Sequence, residues 1–463
     1  MAHAGAEGGD YGRAAPAREN GHRTAVKGIV FYLMRSESLA RSARTALRLA
    51  AHGAFGEIGR RLTRSERSAG LVQSLPAVPL KPRAAEGPVR IVAFGPSLAM
   101  EGAPLSLFEL LRGLKEHEGF ETISVAAAGG TLRRRYDQAG ILCKTETAVD
   151  SAPLTLRDHV RNVERLARAF EAARADVVIA NTVLAHAAVE AAHGAGIPAL
   201  WILRESEPWP GVLGGLSGAV QDRAQATLRA AWRLVFVAQS TRDAWSALAA
   251  PELTVVIENA LDGRRLAPPS REEARRALGL ADGDAMILSV GTVSARKGQA
   301  DAIKAMEALP SRAILFLVGD RESPESAALH RMAQSGPASA RIRFVRETDD
   351  VSSYYAAADV FLSCSRFESY PRAILEALAA KLPIVTTPVF GIREQVEEGR
   401  SALFYSPGDV AALRAVLSRL MGDAQLRGAL SDGAAARAAA LPSFDAVLAK
   451  YGALVRSAVA ARP

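Results

Sequence analysis

From residue 89 onward, short uninterrupted runs of aliphatic and β-branched residues alternate with helical stretches. Such runs lack the apolar–polar alternation of a half-exposed strand, so we predict strands that are covered on both faces. Buried strands that alternate with helices are typical of a doubly wound parallel sheet. The predicted strands of this first series are 89–94, 122–126, 176–180, 199–203, 234–238 and 254–257.

The same alternation restarts after a proline pair at 268–269. The repeat predicts an α/β protein with two doubly wound, Rossmann-like domains, which we place at 89–262 and 263–442. The carboxyl ends of their strands could face each other across a cleft. The final stretch, 443–463, is predicted to contain a helix long enough to cross back to the first domain. The predicted strands of the second series are 285–290, 313–318, 342–345, 360–363 and 383–387.

Composition and charge restrict the class of protein further. The 463 residues are 49% hydrophobic and 23% charged, which excludes a disordered, collagen-like or disulfide-stapled chain. Of the charged residues, fifteen basic and seven acidic ones lie in 1–90, whereas the rest of the chain has 42 of each sign. A nucleic-acid enzyme usually carries its positive field on the body that does the chemistry. We therefore expect no nucleic-acid partner.

The composition of residues 1–88 predicts a basic N-terminal extension and linker that is partly disordered or helical. Apolar residues recur at helical spacing across 36–68, with arginines around them. One interpretation is an interfacial helix on an anionic membrane surface; the others are a helix docked on the folded body and a weakly structured arm. Three glycines within this stretch each lower helix propensity by about 1 kcal/mol. The longest early apolar run, 29–34, is too short for a transmembrane span or a signal-peptide core.

The stretch 366–378 follows a predicted buried strand and carries two carboxylates eight positions apart. Glu368 lies in the loop after the strand, Pro371 suits the first turn of a helix, and Glu376 lies on that helix. A helix N-terminus offers free N–H groups and a positive dipole end, which suit a diphosphate or sugar hydroxyls. Alone, Glu368 could cap the helix and Glu376 could be a solvated charge. Their joint placement favours a binding site.

This stretch also resembles a known family. Segment 367–376, Phe-Glu-Ser-Tyr-Pro-Arg-Ala-Ile-Leu-Glu, is similar to the Glu-x7-Glu signature of family-four glycosyltransferases, which are retaining enzymes with the two-domain B-type fold. The likeness continues through 382–396 and 402–409 and includes 290–298, Val-Gly-Thr-Val-Ser-Ala-Arg-Lys-Gly. Segment 256–262 resembles the family's interdomain Asn-Gly-Ile-Asp, with Ala260 replacing the glycine. The resemblance is strong over 254–421, weaker over 89–253 and absent before about 88.

The resemblance implies roles for residues of the second domain. Glu376 would bind the ribose hydroxyls of the nucleotide, and Glu368 would hold hydroxyls of the transferred sugar. Lys297 would neutralise the diphosphate leaving group, although a lysine at this place could also be an ordinary surface residue. Arg296 could share the task, because Thr292 stands where the family often has an arginine. The remaining expected donor-site residues of this domain are Ser369 and Tyr370 through their backbone, Gly319, Glu347 and Thr348.

In the first domain, Gly102 lies where the family has a glycine-rich loop, and it would let the backbone approach the donor phosphate or the acceptor. Arg204 stands where the family commonly has a histidine near the donor sugar. A permanently charged arginine could instead meet an anionic acceptor or the diphosphate. Asn181 and His186 follow a predicted strand and could face the acceptor, although His186 could also be a plain helix residue.

Asp282 and Asp284 superficially match the Asp-x-Asp of metal-dependent glycosyltransferases, but they precede a strand and we interpret them as a turn. Lys297 and the helix N-terminus could supply the positive charge, so we expect no metal. The expected co-substrate is a nucleotide-diphosphate sugar, and no other cofactor is expected. The two cysteines, Cys143 and Cys364, lie far apart and favour a reducing compartment.

The sequence therefore predicts a retaining, metal-independent hexosyltransferase of cell-envelope or exopolysaccharide synthesis. A UDP-sugar is the favoured donor and GDP-mannose the next, with a glycan or lipid-linked acceptor. We expect a cytoplasmic protein, with a peripheral position at the inner face of the plasma membrane if 36–68 binds lipid. The alternatives are a sugar-nucleotide epimerase of the same fold and a non-catalytic scaffold that binds sugar nucleotides.

Overall fold

The computed structural model describes residues 75–83, 86–207 and 209–463. The basic segment 1–74, including the predicted helix at 36–68, lies outside the described residues. The described chain contains two parallel β-sheets, each flanked by helices. The predicted fold class, two doubly wound α/β domains, is confirmed. We call the first sheet with its helices the N-lobe, and the second sheet with its helices the C-lobe.

The N-lobe strands are β1 (Arg90–Ser97), β2 (Glu121–Ala128), β3 (Leu142–Thr145), β4 (Val177–Asn181), β5 (Ala199–Leu203), β6 (Arg233–Phe236) and β7 (Thr254–Val256). They lie in the order β3-β2-β1-β4-β5-β6-β7, and all neighbouring pairs are parallel. Every residue of β4 and β5 is buried, because helices cover both faces of the sheet. The strand order reverses between β1 and β4, so a crevice forms at the carboxyl ends of these strands.

The N-lobe helices are α1 (Gly102–Glu118), α2 (Arg133–Gln138), α3 (Leu156–Ala172), α4 (His186–Gly194), α5 (Trp209–Leu213), α6 (Gly218–Thr227) and α7 (Gln239–Ala244). The helix α1 packs on the sheet through fully buried Leu111 and Leu114. Its N-terminus lies at the carboxyl end of β1, so its free N–H groups face the crevice side of the lobe.

The C-lobe strands are β8 (Ala285–Val290), β9 (Ala313–Asp320), β10 (Ile342–Arg346), β11 (Val360–Ser363), β12 (Ile384–Thr386) and β13 (Ala402–Phe404), in the order β10-β9-β8-β11-β12-β13. All neighbouring pairs are again parallel. The helices are α8 (Arg271–Ala277), α9 (Gln299–Ala305), α10 (Pro324–Ser335), α11 (Ser352–Ala357), α12 (Arg372–Ala379), α13 (Ile392–Gln395), α14 (Val410–Gly422) and α15 (Ala424–Ala440).

The final helix, α16 (Phe444–Ala460), packs against α1 of the N-lobe. The two helices approach closely at Gly113, where a Cβ would lie 2.6 Å from Leu448, and Arg456 pairs with Glu118 at 2.6 Å. By length and composition, the stretch Ala424–Ala460 is the one described helical segment that could cross a membrane, which is weak support for such a role. Extended backbone at Leu441 separates α15 from α16, and α16 buries part of its apolar surface in the N-lobe core.

Three strands have the predicted bounds, those at 199–203, 285–290 and 360–363. Two strands were not predicted, β3 and β13, which lie at the edges of their sheets. In β3, Leu142 is 54% exposed and polar residues follow Cys143, so the sequence lacks a continuous apolar run. The strand β13 is apolar and mostly buried, but it is only three residues long.

Candidate functional site

Glu368 lies in the loop between β11 and α12, and three donors surround its carboxylate. The Lys297 ammonium and the Arg296 guanidinium both contact Oε1, the guanidinium at 3.2 Å. Ser365 donates its hydroxyl to the same oxygen at 3.0 Å. Only 7% of Glu368 is exposed, so these protein donors replace most of the water that would solvate the carboxylate.

The contacts among Glu368, Lys297 and Arg296 shift the pKa values of all three groups. Burial would raise the pKa of Glu368, but the Lys297 ammonium and then the Arg296 guanidinium outweigh burial and lower it to about 2. Burial lowers the pKa of Lys297, with Glu368 acting in the opposite direction. Attraction to Glu368 raises the pKa of Arg296. Two cations therefore meet one carboxylate, and the cluster carries an excess of positive charge.

The position of Lys297 depends on the glycine that follows it. Lys297 ends a short 3₁₀ turn, Ala295–Lys297, and Gly298 has a left-handed backbone with φ of +64°. A Cβ at Gly298 would lie 2.2 Å from the carbonyl oxygen of Cys364, just after β11. Glycine thus allows the two loops to approach closely enough for Lys297 to reach Glu368.

Glu376 lies on α12, but its carboxylate has other partners. Arg265 donates Nε to Oε1 at 3.1 Å, and Tyr355 donates its hydroxyl to Oε2 at 2.9 Å. The side chains of Arg265 and Glu376 are only 8% and 4% exposed. A ribose would therefore meet this carboxylate beside Arg265 or in its place.

Ser369 and Tyr370 fasten the Glu368 loop to the N-lobe. Ser369 donates its hydroxyl to the Arg204 carbonyl at 2.6 Å and accepts a hydrogen bond from Ser206 at 2.8 Å. The Tyr370 side chain is buried in the N-lobe core, and its carbonyl accepts a hydrogen bond from Asn259 at 2.9 Å. The loop that carries Glu368 is thus held from both lobes.

Arg204 and Asn181 belong to a chain of hydrogen bonds that ends at the same loop. Arg204 donates Nε to the Asn181 side-chain oxygen and Nη1 to the Asn259 side-chain oxygen, each at 2.7 Å. Asn181 donates to the carbonyl of Ala103 in α1 at 3.1 Å. Burial lowers the pKa of Arg204. The Arg204 guanidinium donates to these two amides, and the Arg204 backbone N–H donates to the carboxylate of Glu205 at 2.9 Å.

His186 does not reach the cleft. Its ring is 1% exposed and stacks on His159 of α3, with centroids 5.0 Å apart. Both ring nitrogens lack a hydrogen-bond partner, and burial followed by repulsion from His159 lowers its pKa to about 3. The structure therefore places His186 as a neutral packing residue between helices, because the first turn of α4 faces α3.

Gly102 begins α1 beside a buried ion pair that joins the lobes. A Cβ at Gly102 would lie 4.0 Å from Cδ of Arg372, so glycine is not sterically required there. Arg372, the first residue of α12, pairs with Glu109 of α1 at 2.8 Å and donates to Ser106 at 3.3 Å. Arg372 and Glu109 therefore bring the first turn of α12 against α1.

The expected nucleotide side of the site lies at the ends of β9 and β10. Gly319 has φ of +108°, and a Cβ there would lie 2.8 Å from the Gly291 carbonyl oxygen, so β8 and β9 end in close contact. Glu347 pairs with Arg321 at 2.5 Å, and Arg321 also pairs with Glu101 of the N-lobe at 2.6 Å. Thr348 makes only local turn contacts with Asp350.

Several residues at the site were not candidates in the sequence analysis, and four of them illustrate which signals were available. Asn259 and Arg372 stand inside the segments that carry the family resemblance, so a signal for them was present. Arg265 and Arg321 lie outside every quoted motif. Only the fold brings Arg265 to Glu376 and Arg321 to Glu347.

No metal-binding group emerges from the described part of the chain, where no three His, Cys, Asp or Glu side chains cluster suitably. Asp282 and Gly283 form the expected turn before β8, and Ala281 donates its N–H to Asp284 at 2.8 Å. Cys143 and Cys364 are buried free thiols. Cavities of about 250 and 540 Å³ lie elsewhere, one beside His193 and Trp232 and one beside His117 and Phe444.

Two family models match the chain. Residues 100–265 match the model described as Glycosyltransferase Family 4, and residues 270–437 match the one described as Glycosyl transferases group 1. The first match falls on the N-lobe and contains all of its strands except β1, and the second falls on the C-lobe and contains all six of its strands.

Curated relatives match parts of the chain. The lipopolysaccharide core biosynthesis glycosyltransferase LpsE of Rhizobium meliloti (strain 1021) is 31% identical over 147 residues, which are 32% of this chain and 42% of LpsE. The lipopolysaccharide core biosynthesis mannosyltransferase LpsB of the same strain is 30% identical over 215 residues, 43% of this chain and 61% of LpsB. The chain spans about half the length of the curated relatives it matches.

A solved structure, Anabaena Alr3699/HepE in complex with UDP and glucose, has a TM-score of 0.69 and 21% identity. The match covers 80% of this chain and all of that one. At this level of identity the similarity shows that the fold is shared.

Proposed function

The chain belongs to the family-four glycosyltransferases of the B-type fold, and from this premise we propose that it moves a hexose from a nucleotide-diphosphate sugar to a glycan or lipid-linked acceptor with retention of configuration. The single observation that carries the proposal is the cluster of Glu368 with Lys297 and Arg296. Such a cluster suits a reaction in which a neutral sugar and an anionic leaving group must be held together.

The chemical task is to stabilise negative charge on the leaving diphosphate while the sugar becomes oxocarbenium-like. Glu368 is ionised at neutral pH, so it can accept hydrogen bonds from sugar hydroxyls. Lys297 and Arg296 then provide more positive charge than Glu368 alone can balance. This excess is the part of the site that favours the departing phosphate.

In this proposal the acceptor attacks from the face that the diphosphate leaves, and the leaving phosphate takes the acceptor's proton. We therefore assign no protein group as general base. Lys297 and Arg296 supply the counter-charge to the leaving group, which supports a reaction without a metal ion. Contact between the lobes around Ser369 would exclude water, which would otherwise hydrolyse the donor.

The structural neighbour solved with UDP and glucose supports a UDP-sugar as the favoured donor. The mannosyltransferase relative supports GDP-mannose as the next candidate. The names of the relatives support a role in cell-envelope or exopolysaccharide synthesis. Our proposal places the enzyme in the cytoplasm, with segment 36–68 as its contact with an anionic membrane surface.

A thermal-shift screen with UDP-glucose, UDP-galactose, UDP-N-acetylglucosamine and GDP-mannose tests donor binding, because a true donor stabilises the fold by mass action. Labelled transfer to a lipopolysaccharide core acceptor then tests turnover, and proton NMR of the product gives its anomeric configuration. We expect stabilisation and transfer in the wild type, with transfer lost in Lys297→Met. Binding without transfer to any acceptor would favour a scaffold, and conversion of the sugar nucleotide without an acceptor would favour an epimerase.

A further inference from the structure

Two phenylalanine rings stack beside the Glu368 loop, and the donor site proposed above uses neither of them. Phe367 directly precedes Glu368 and is 36% exposed, which makes it one of the few exposed large apolar side chains in the described part of the chain. Its ring centroid lies 6.0 Å from that of half-buried Phe390, with 29° between the ring planes. The pair forms an aromatic surface next to the carboxylate cluster.

The backbone at Phe390 has a conformation that is unusual for a phenylalanine. Phe390 has φ of +42°, a left-handed conformation that glycine adopts easily and a phenylalanine rarely does. The next residue, Gly391, packs so tightly that a Cβ would lie 1.5 Å from the Ser369 carbonyl oxygen. Strained conformations of this kind persist where surrounding structure enforces them, often at binding sites. Glycine would relieve the strain at 390, but it would remove the ring.

The first ring is joined directly to the charged cluster. Arg296 donates Nη1 to the carbonyl oxygen of Phe367 at 2.8 Å, and the same nitrogen contacts the Glu368 carboxylate at 3.2 Å. An acceptor must approach the sugar carbon held near Glu368. Its path therefore runs over the residues that flank this loop.

The second ring lies close to the junction of the lobes. Glu394, on the same short segment as Phe390, accepts hydrogen bonds from the N–H groups of Gln239 and Ser240, each at 2.8 Å. These N–H groups belong to the first turn of α7 in the N-lobe. The segment that carries Phe390 therefore contacts the N-lobe four residues beyond the ring.

We propose that Phe367 and Phe390 form a platform on which a pyranose ring of the acceptor stacks. The apolar C–H face of a pyranose packs well on an aromatic ring, while its hydroxyls stay free for polar groups such as those around Glu368. The proposal rests on the function proposed above and deepens it. It assigns the acceptor portion nearest the reaction to a saccharide and leaves a lipid part, where one exists, outside this contact.

The test compares the full-length chain with three variants, F390G, F367A and the control V160A, which trims another exposed apolar residue on α3. Saturation-transfer NMR with methyl β-D-glucopyranoside and methyl α-D-mannopyranoside, in the presence of UDP, measures saccharide binding. The thermal shift that UDP causes measures the donor site separately. Thermal unfolding reports on folding, and F390G is expected to fold at least as stably as wild type because it removes the left-handed phenylalanine.

We expect saturation transfer to the sugar C–H protons to fall at least fivefold in F390G and F367A and to stay unchanged in V160A, with the thermal shift caused by UDP the same as in wild type in all three. Unchanged saturation transfer in both phenylalanine variants would overturn the platform, as would its absence in the wild type. Loss of the UDP-dependent shift together with saturation transfer would also overturn it, by assigning the rings to the donor site. Failure of every sugar nucleotide in the donor screen to stabilise the wild type would instead count against the proposed function, whatever the saccharide signal.

Discussion

At the scale of single residues, the two glutamates of the Glu-x7-Glu segment differ in their surroundings. Glu368 meets a lysine and an arginine from the loop after β8, whereas Glu376 meets Arg265 and a tyrosine. The first carboxylate therefore belongs to the positively charged cluster. The second already has one protein donor on each oxygen, so a ligand that binds it must share the carboxylate with Arg265 or displace it.

The depressed pKa of Glu368 makes its contribution to stability depend on pH. The folded value of about 2 lies below the ordinary 4.5, a shift worth about 3 kcal/mol. This contribution is complete above pH 4.5 and is lost as the pH falls through 4.5 toward 2. We expect the free energy of unfolding of E368Q to be about 3 kcal/mol lower than that of wild type at pH 7. This difference should narrow as the pH falls. Urea unfolding at pH 7, 5, 4 and 3 measures it; a constant difference would contradict the assignment.

Arg204 connects two amides whose other ends reach α1 and the Tyr370 carbonyl. R204M would leave the oxygens of Asn181 and Asn259 without a donor, so we expect a loss of about 2 kcal/mol in unfolding free energy and slower transfer by about tenfold. R204Q keeps an N–H donor without the charge.

Partial recovery in R204Q, measured as kcat and donor KM, is expected if Arg204 positions the loop. Equal loss in R204Q and R204M would indicate that the charge itself binds an anion, as the sequence analysis proposed. Unaltered kinetics in both variants would show that Arg204 has neither role.

At the scale of secondary-structure elements, the site consists of loops that leave parallel strands at the same edge of a sheet. The turn after β8 brings Lys297, and the loop after β11 brings Glu368, because these two strands are neighbours in the C-lobe sheet. Neighbouring parallel strands place their carboxyl-end loops side by side. The close contact at Gly298 sets how near the two loops can approach.

A matched pair of glycine variants tests this contact. Gly298 and Gly279 have nearly the same backbone, with φ of +64° and +63°, but a Cβ would meet Cys364 at Gly298 and open space at Gly279. We expect G279A to cost about 1 kcal/mol from left-handed strain alone and to keep full transfer activity.

G298A is expected to cost about 3 kcal/mol and to reduce kcat by about a hundredfold, because Lys297 must move away from Glu368. Chemical unfolding and transfer kinetics of the two proteins measure these effects. Equal behaviour of the two variants would show that the close approach at Gly298 does not matter.

At the scale of the whole molecule, the lobes are joined by polar contacts spread along their junction. Buried Arg372 pairs with Glu109, Arg321 links Glu101 with Glu347, and Asp349 meets Arg134 and Arg135 at 2.9 and 3.1 Å. The pairs of Asp349 are exposed and contribute little, whereas the Arg372–Glu109 pair is shielded from water. This buried pair is therefore the strongest candidate for holding α12 against α1.

Breaking that pair on one side leaves a buried charge. We expect E109Q to lower the unfolding free energy by about 3 kcal/mol, and the double variant E109M/R372M to recover most of the loss because it buries no unpaired charge. Urea unfolding of wild type, E109M, R372M and E109M/R372M gives the coupling between the residues. Additive effects of the two substitutions would contradict a direct interaction.

Much of the fold could be predicted because short-range patterns of residues indicate its strands and helices. Buried parallel strands show as apolar runs, so the two-domain organisation and the central strands followed from the sequence. The edge strands β3 and β13 did not, because β3 is partly exposed and β13 has only three residues. The family resemblance assigned Lys297 and Glu368 to one site with separate roles, and the structure brings their side chains into contact.

The sequence by itself determined the α/β repeat, its division into two series and the placement of Glu368 and Glu376 around one helix start, since all three depend on residues close together in the chain. The tertiary structure alone decided that Arg265 pairs with Glu376, that Arg204 donates to two amides, and that His186 is buried against His159. Each of these contacts joins residues that lie between 23 and 111 positions apart in the chain. Contacts of that kind depend on how sheets and helices pack, which no local pattern of residues encodes.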